Sequence, residues 1–190
     1  YIGGLDKNQN LYNYFKYLEI IDYLSLKKLD TNGFDIITFD DDEKEYKYAQ
    51  GYNNFKKILI KDFPNEEEAI NQYCKLLKEY CENFPLYNIE NGNSPYVAKP
   101  ELFKIAAKDL IYSLTKNKKL QAVLSATNIL YAGEKSRTPF YVHALTINSY
   151  IESAYRVMNG GSQISKGLVK KLREKGGDAF KRLEVIKFKF

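Results

Sequence analysis

In this chain of 190 residues, strand-like patterns at about residues 22–49 precede helix-like patterns at residues 52–155, and that order constrains the fold more than any other feature. Before the strands, Leu11, Phe15 and Leu18 recur at helical spacing. Residues 23–29, 34–39 and 44–49 have the composition and spacing of short strands. From residue 52 to 155, apolar residues recur at helical spacing. A run of strands followed by a run of helices predicts an α+β domain, here with a small antiparallel sheet at about residues 22–49 and a mostly helical layer.

Two turns are predicted between these strands. Asp30-Thr31-Asn32-Gly33 contains Asn-Gly, whose tolerance of positive φ values suits a tight hairpin. Asp40-Asp41-Asp42-Glu43 supplies the second turn. This acidic run raises the alternative of a calcium loop, but it lacks the alternating ligands, the central Gly and the distal Glu that such a loop needs. A solvated hairpin tip is the better interpretation.

Helices are predicted over most of the chain after residue 52. Pro64-Asn65 begins a long helix that runs to about Phe84, with acidic residues in its first turn, where the helix dipole favours them. Further helices are predicted at about 101–115, 117–132 and 140–155, the last begun by Thr138-Pro139. Residues 85–100, rich in Pro and Asn, are predicted as an irregular stretch, of the kind that is a lid, an entry loop or a disordered excursion.

Several classes of function find no support in the residue content. The chain has no run of about 18 apolar residues, the length that a membrane-spanning helix needs. Cys74 and Cys81 are separated along one predicted helix and cannot pair with each other, so a reducing, cytoplasmic compartment fits them best. The only histidine, His143, and two separated cysteines do not make a metal site. No local motif indicates a serine hydrolase.

The formal net charge of +5 is concentrated near the end of the sequence. The basic residues after residue 165 alternate with Leu168, Val169, Leu172 and Leu183, as on the solvated face of an amphipathic element. Nucleic acid is therefore not expected as a partner. The alternative that stays open is a noncatalytic binding module whose basic C-terminal face attaches to anionic lipid or to nucleic acid.

Residues 156–188 carry the most specific pattern. Arg156-Val157-Met158-Asn159-Gly160-Gly161-Ser162-Gln163 is followed by an amphipathic helix, by Gly176-Gly177 and by a predicted strand with the spacing Val185-x-x-Phe188. Gly160-Gly161 lets the backbone bend sharply or approach a ligand closely. A glycine pair before a helix also presents N–H groups to an electron-rich ligand. From this local chemistry alone, a purely structural role for the glycines stays open.

The order of these parts resembles the return from the substrate domain to the flavin domain in amine oxidases, phytoene desaturases and retinol saturases. Tyr1-Ile2-Gly3-Gly4 is similar to the end of a Gly-x-His-Tyr-Ile-Gly segment that passes close to the flavin in this family. Leu120 to Ser125 and His143-Ala144-Leu145, with Asn148 and Tyr150, look most like the retinol saturase branch. The chain thus resembles an internal piece of such an oxidoreductase over essentially its whole length.

The resemblance implies FAD as the cofactor of the intact parent and no metal. The nucleotide-binding glycine fingerprint is missing, so these residues alone are expected to bind FAD poorly or not at all. Cofactor contacts are implied at Gly160, Gly161, Val185 and Tyr1. Substrate contacts are implied at Gln163, Tyr141 and His143, with capping or packing as the alternative for each. No catalytic residue is assigned, because the cofactor carries hydride chemistry.

The expected function is that of a flavin-dependent oxidoreductase acting on carbon–carbon bonds of a hydrophobic, carotenoid-like or retinoid-like substrate, by saturation or desaturation. Residues 1–155 are expected to form its substrate-side domain, and residues 156–190 a return segment that belongs to the FAD-binding domain. The piece alone is expected to be inactive. We expect a cytoplasmic protein, with peripheral membrane contact allowed and with self-association through the exposed edge of the strand at residues 185–190.

Overall fold

The computed structural model describes residues 1–84, 87, 104–134 and 137–189. Its strands are β1 (Ile2–Gly3), β2 (Leu26–Lys28), β3 (Asp35–Phe39), β4 (Asp42–Tyr48) and β5 (Ala154–Val157). Its α-helices are α1 (Asn10–Tyr17), α2 (Tyr52–Asp62), α3 (Glu67–Glu82), α4 (Ala107–Leu114), α5 (Lys118–Ser125), α6 (Phe140–Glu152) and α7 (Ser162–Glu174). The predicted α+β class is confirmed. The irregular stretch predicted at residues 85–100 lies outside the described residues, apart from Tyr87.

The helices lie close to where the apolar spacing predicted them. α3 begins after one 3-10 turn at Pro64–Glu66 and carries Glu67 and Glu68 in its first turn. α5 continues into a 3-10 segment, Ala126–Tyr131. α6 ends earlier than predicted, because the backbone is already extended at Ser153 and then enters β5. The sequence patterns did not predict β5.

The strands form two antiparallel sheets rather than one at residues 22–49. β3 and β4 make the predicted hairpin around the acidic turn. β2 does not pair with β3, so the predicted hairpin at the Asn-Gly turn is wrong. Instead, β2 and β1 pair with β5 from either side, in the order β1-β5-β2. The sheet therefore joins the beginning of the chain to the segment that follows α6.

The buried side chain of Gln50 explains the position of β2. Its Nε2 donates to the carbonyl oxygens of Leu29 and Asp30 at 2.9 and 3.2 Å. Its Oε1 accepts from the N–H of Ala154 at 3.0 Å. These bonds hold the end of β2 beside β5, and the chain then turns away to begin β3 in the other sheet.

The main core surrounds α6. Phe140, Ala144, Ile147 and Ile151 lie on buried faces of this helix, against α3 and α4. The other helices and β4 contribute aromatic and aliphatic side chains, among them Tyr48, Phe55, Leu59, Tyr73, Leu77, Ile111, Leu120 and Leu124. Because helices pack around α6 on more than one side, its sequence is apolar over most of its circumference.

A smaller second core lies beneath the three-stranded sheet. It consists of the buried Leu5, Phe15 and Ile20, with partly buried side chains from both sheet and helix packed around them. The fully buried Ser153 connects this region to α6, because its hydroxyl accepts from the N–H groups of Leu5 and Asp6 at 2.9 and 3.2 Å.

β1 lies directly against the backbone of α6. A Cβ atom added to Gly3 would lie 2.5 to 2.7 Å from the backbone C, O and N atoms of Ser149 and Tyr150. Real Cβ atoms do not approach backbone this closely, so glycine is required here for contact between the two elements. Gly4 adds a positive φ of 71°, which also favours glycine.

The strand predicted at Val185 to Phe188 is not formed. Residues 183–189 have no regular structure, and the side chains of Val185, Ile186 and Phe188 are 68 to 91% exposed. A strand needs a hydrogen-bonded neighbour, and none of the described strands lies beside these residues. The strand edge on which the expected self-association rested is therefore missing from this structure.

We expect Gly3→Ala to lower the free energy of unfolding by about 2 kcal/mol, since the added methyl overlaps backbone that cannot move aside. Urea unfolding followed by circular dichroism measures this change. Gly161→Ala is the matched control, because Gly161 has a φ of −65° and no atom within 4 Å of an added Cβ. The control is expected to stay within about 0.5 kcal/mol of the wild type. Equal effects of the two substitutions would contradict the proposed contact.

Candidate functional site

The glycine pair lies in the tight turn between β5 and α7. Asn159 and Gly160 have positive φ values of 64° and 98°, so the backbone reverses there before the helix begins at Ser162. A Cβ added to Gly160 or Gly161 would meet nothing within 4 Å. The outer side of this backbone is therefore open to close approach by a ligand, although Gly161 itself has an ordinary φ that any residue can adopt.

Tyr1 lies at the same end of the three-stranded sheet as the glycine pair. β1 runs antiparallel to β5, with Ile2 opposite Tyr155. The start of β1, which Tyr1 precedes, therefore lies beside the end of β5 that leads to Gly160. The side chain of Tyr1 is already engaged within the chain. Its hydroxyl donates to Asp35 Oδ2 at 2.6 Å, and its ring packs edge-on against Tyr150 with centroids 4.9 Å apart. Burial, followed by this bond to Asp35, raises the pKa of the hydroxyl.

Gln163 connects α7 to the three-stranded sheet. Its Oε1 accepts from the N–H of Ser25 at 2.9 Å, and its Nε2 donates to the carbonyl of Met158. Both polar ends of the side chain are thus used inside the chain, which matches the capping alternative. The predicted contact of Gln163 with a substrate stays a prediction.

His143 is completely buried between two tyrosines. Its Nε2 lies 2.6 Å from the Tyr73 hydroxyl, and its Nδ1 lies 2.7 Å from the Tyr131 hydroxyl. Tyr131 gives its own proton to Asn128 Oδ1, so it accepts from Nδ1–H, and Nε2 then accepts from Tyr73. Burial lowers the pKa of His143 to about 3. The imidazole is therefore neutral at pH 7 and fully hydrogen-bonded, which favours the packing alternative.

The remaining two predicted site residues lie apart from each other. The Tyr141 ring stacks on Phe84, with centroids 5.8 Å apart and planes 11° from parallel, at the edge of the main core. Val185 is 68% exposed in the C-terminal stretch without regular structure. Neither position contradicts a role in a larger protein, and the predicted contacts of both stay predictions.

An apolar cavity of about 370 Å³ lies between the start of the chain and α6. Its walls come mainly from β1 and the turn after it, from α1, and from the face of α6 that the core does not use. The lining residues include Ile2, Gly3, Gly4, Leu11, Tyr14, Leu145, Ser149 and Tyr150. The close contact of β1 with α6 creates this cavity, because it holds Ile2–Gly4 against one end of the helix face.

A polar cavity of about 350 Å³ adjoins the apolar one, and both are lined by Asn10 and Tyr87. Its other walls include Tyr52, Lys78, Cys81, Glu82, Asn148 and Glu152. Asn148 is 3% exposed, accepts from the Tyr52 hydroxyl at 2.6 Å and donates to the Tyr87 hydroxyl at 3.0 Å. The side chains of one wall are therefore fixed by hydrogen bonds.

The residues that carry the family resemblance include Ile2, Gly3, Gly4, Leu145, Asn148 and Tyr150, which line these cavities, but the sequence did not predict a cavity there. Gln163, Tyr141 and His143 contribute to the walls of neither cavity. Helical spacing places the buried residues His143, Ile147 and Ile151 on a different face of α6 from the residues that line the cavity. The spacing alone does not indicate which face of the helix lines a cavity.

The two cysteines are free and buried in α3. Burial raises the pKa of the Cys74 thiol to about 12, and burial also raises that of Cys81. Within the described parts of the chain, no group of three or more His, Cys, Asp or Glu side chains could hold a metal ion. In the same residues, no helix is long and apolar enough to cross a membrane.

Comparisons with known proteins identify curated relatives. The all-trans-retinol 13,14-reductase of Danio rerio is 26% identical over 170 residues, which cover 81% of this chain and 28% of the relative. The enzymes of the same name from Rattus norvegicus and Homo sapiens are 25% and 24% identical, over 87% and 83% of this chain. The chain spans less than a third of the length of these relatives. No family model and no solved structure matches it.

The class to which these relatives belong is that of the oxidoreductases. Within that class, the chain is similar to the retinol saturase family over more than four fifths of its length. The resemblance predicted from the two ends of the chain and from residues 120–150 is thus confirmed.

We expect acid to destabilise the fold through His143. Its pKa is lower in the folded chain, about 3, than in the unfolded chain, about 6.5, so the unfolded state binds a proton first. Its contribution to stability is complete above about pH 6.5 and is lost as the pH falls toward 3. Between pH 8 and pH 5 we expect a loss of about 2 kcal/mol in the free energy of unfolding.

Urea titrations of the wild type and of His143→Gln at several pH values measure this dependence. Gln cannot titrate, so the variant is expected to be less stable at pH 8 but to lose about 2 kcal/mol less than the wild type on going to pH 5. Parallel pH profiles for the two proteins would show that His143 is not the group responsible.

Proposed function

We propose that this chain is the substrate-side part of a flavin-dependent oxidoreductase that acts on a carbon–carbon bond of a hydrophobic, isoprenoid-like substrate. The observation that supports this most is the similarity to enzymes named all-trans-retinol 13,14-reductase over more than four fifths of the chain. The apolar cavity between β1 and α6 is consistent with such a substrate. The name of the relatives favours saturation over desaturation and a retinoid-like substrate over a carotenoid.

The backbone at Gly160 and Gly161 fits the approach of a flat, extended cofactor. This backbone is exposed, and no atom lies within 4 Å of a Cβ added to either glycine. It directly precedes the N-terminus of the 13-residue helix α7. Gly160, Gly161 and Tyr1 would lie beside FAD, and Val185 would reach its adenine once residues 183–189 are ordered against other parts of the protein. Bound FAD supplies hydride exchange, while the residues of this chain bind the substrate, orient it and exclude water.

The proposed division into a substrate-side domain, residues 1–155, and a return segment, residues 156–190, is supported by the exposed apolar surface of the segment. Leu168, Leu172, Phe180, Ile186 and Phe188 are 40 to 91% exposed. A set of large apolar side chains exposed over one segment is typical of a surface that another part of a protein covers. We propose that the FAD-binding domain of the same protein covers it.

The experiment uses the full-length protein that contains this chain. We expect it to purify with visible flavin absorption. Gly161→Leu is expected to lower flavin affinity about tenfold, because the new side chain fills the space that the cofactor would occupy. Ser165→Leu, which adds the same side chain one turn further along the exposed face of α7, is the matched control and should retain the flavin. A colourless wild-type protein would contradict the proposed function.

A second candidate function, attachment to an anionic lipid surface, is favoured by the basic groove along α7. The groove has a volume of about 530 Å³ and is lined by Lys166, Lys170, Arg173, Glu174 and Lys181, of which Arg173 pairs with Asp178 at 3.1 Å. Other basic side chains nearby are neutralised within the chain: Glu19 pairs with Lys171 at 3.3 Å and with Lys175 at 3.1 Å. The unneutralised part of the surface is thus smaller than the sequence indicates.

Sedimentation with phosphatidylserine vesicles tests this candidate. If α7 attaches to the membrane, Lys166→Glu with Lys170→Glu should weaken binding at least about thirtyfold, since each basic residue near the surface contributes about 1 kcal/mol. Lys57→Glu with Lys61→Glu makes the same change of charge on α2 and is the control. Equal weakening by both pairs would indicate only a general effect of net charge.

A further inference from the structure

Tyr87 lies where the apolar and the polar cavity beside α6 meet, and it lines both of them. Its hydroxyl contacts a wall residue of each cavity. It donates to the backbone carbonyl of Leu145, which lines the apolar cavity, and it accepts from the side chain of Asn148, which lines the polar cavity. A phenol group thus lies at the edge of the space that the substrate would occupy.

The hydrogen bonds of this hydroxyl hold its oxygen more firmly than its proton. Asn148 Nδ2 donates to the oxygen at 3.0 Å, and the Tyr52 hydroxyl fixes the other end of the same amide by donating to Oδ1 at 2.6 Å. The proton of Tyr87 is directed at the Leu145 carbonyl across 3.3 Å, which is longer than the roughly 2.7–2.8 Å typical of an O–H···O bond. Loss of the proton would break only a weak bond, and the oxyanion would keep a fixed donor.

Other hydroxyl groups at the apolar cavity lack this combination. Ser149 Oγ donates to the Thr146 carbonyl at 2.7 Å, and Thr146 Oγ1 donates to the Val142 carbonyl at 2.9 Å, so both protons are held by backbone. Tyr150 is a second phenol of this cavity, but no group in the described part of the chain donates to its hydroxyl. Tyrosine is also a general acid in proteins, whereas aliphatic hydroxyls rarely are.

Tyr87 has a proton to give and a source from which to regain it. Burial raises the pKa of its hydroxyl, and the hydrogen bond from Asn148 offsets part of this rise, so the group is protonated at pH 7. The polar cavity, of about 350 Å³, is lined by amide, ammonium and carboxyl groups. It is large and polar enough to hold water, which can return a proton to the phenol oxygen from the side away from the substrate.

We propose that Tyr87 is a catalytic residue that donates a proton when the carbon–carbon double bond of the substrate is reduced, and that Asn148 is its positioning residue. One carbon gains a hydride from reduced flavin, and the other gains the Tyr87 proton. The π bond and the Tyr87 O–H bond break, two C–H bonds form, the flavin is oxidised, and water then reprotonates the phenolate. This inference rests on the proposed function, from which it takes the reaction and the place of the substrate.

The test uses the full-length protein with retinol as the probe substrate. After reduction of the flavin by dithionite and removal of the excess, stopped-flow absorbance follows flavin reoxidation by retinol. In Tyr87→Phe this step should be about a hundredfold slower, the lower end of what a general acid contributes. The dissociation constant of retinol for the protein with oxidised flavin, which does not reduce it, should stay unchanged because Phe keeps the ring.

Asn148→Asp tests the positioning role, because it puts a negative charge where the amide donates. It should slow the same step at least about tenfold. Tyr112→Phe is the matched control, since it removes the hydroxyl of a half-buried tyrosine that lines neither cavity, and it should react at the wild-type rate.

The outcomes separate this inference from the proposed function. If Tyr87→Phe reoxidises as fast as the wild type, or if it loses only affinity for retinol, Tyr87 is a packing residue and the proposed function stands. If the reduced wild-type protein does not saturate retinol, the proposed reaction and the role of Tyr87 are both wrong.

Discussion

The contact between the backbones of β1 and α6 determines most of the remaining architecture. Because Gly3 has no side chain, β1 can lie on Ser149 and Tyr150 and still pair with β5, the strand that follows α6. The first residues of the chain and the residues that precede Gly160 thereby become neighbours in one sheet. The apolar cavity between β1 and α6 is a consequence of the same contact, as is the position of Tyr1 near the glycine turn.

Two buried polar side chains, Gln50 and Ser153, and the half-buried Gln163 hold this arrangement in register. Gln50 hydrogen-bonds both the end of β2 and the N–H of Ala154. The Ser153 hydroxyl accepts hydrogen bonds from the N–H groups of Leu5 and Asp6. Gln163 hydrogen-bonds both Ser25 and Met158. Ser153 and Gln50 satisfy the buried N–H groups of Leu5 and Ala154, which would otherwise have no partner. A polar residue at such a position therefore specifies which strands meet, whereas the apolar core around α6 mainly supplies stability.

The sequence predicted the helices well and the pairing of strands poorly, and the reason is physical. Helical periodicity is local, so α3 and α6 could be recognised from a few turns of apolar spacing. Strand pairing is decided by residues far apart in sequence, and nothing in residues 26–28 indicates that they lie beside residues 155–157. The glycine pair at 160–161 was found because its conformation is encoded locally. The cavities themselves were not predicted, since they depend on which face of α6 the rest of the fold leaves uncovered.

The burial of both cysteines has a practical consequence for experiments on this protein. Alkylating reagents attack the thiolate, and burial in α3 keeps Cys74 and Cys81 protonated and only 4 and 5% exposed. A single cysteine introduced on an exposed helix face can therefore carry a spectroscopic probe without prior replacement of the native pair. Distances between such probes on α6 and α7 would report the position of α7 relative to the helical core in solution.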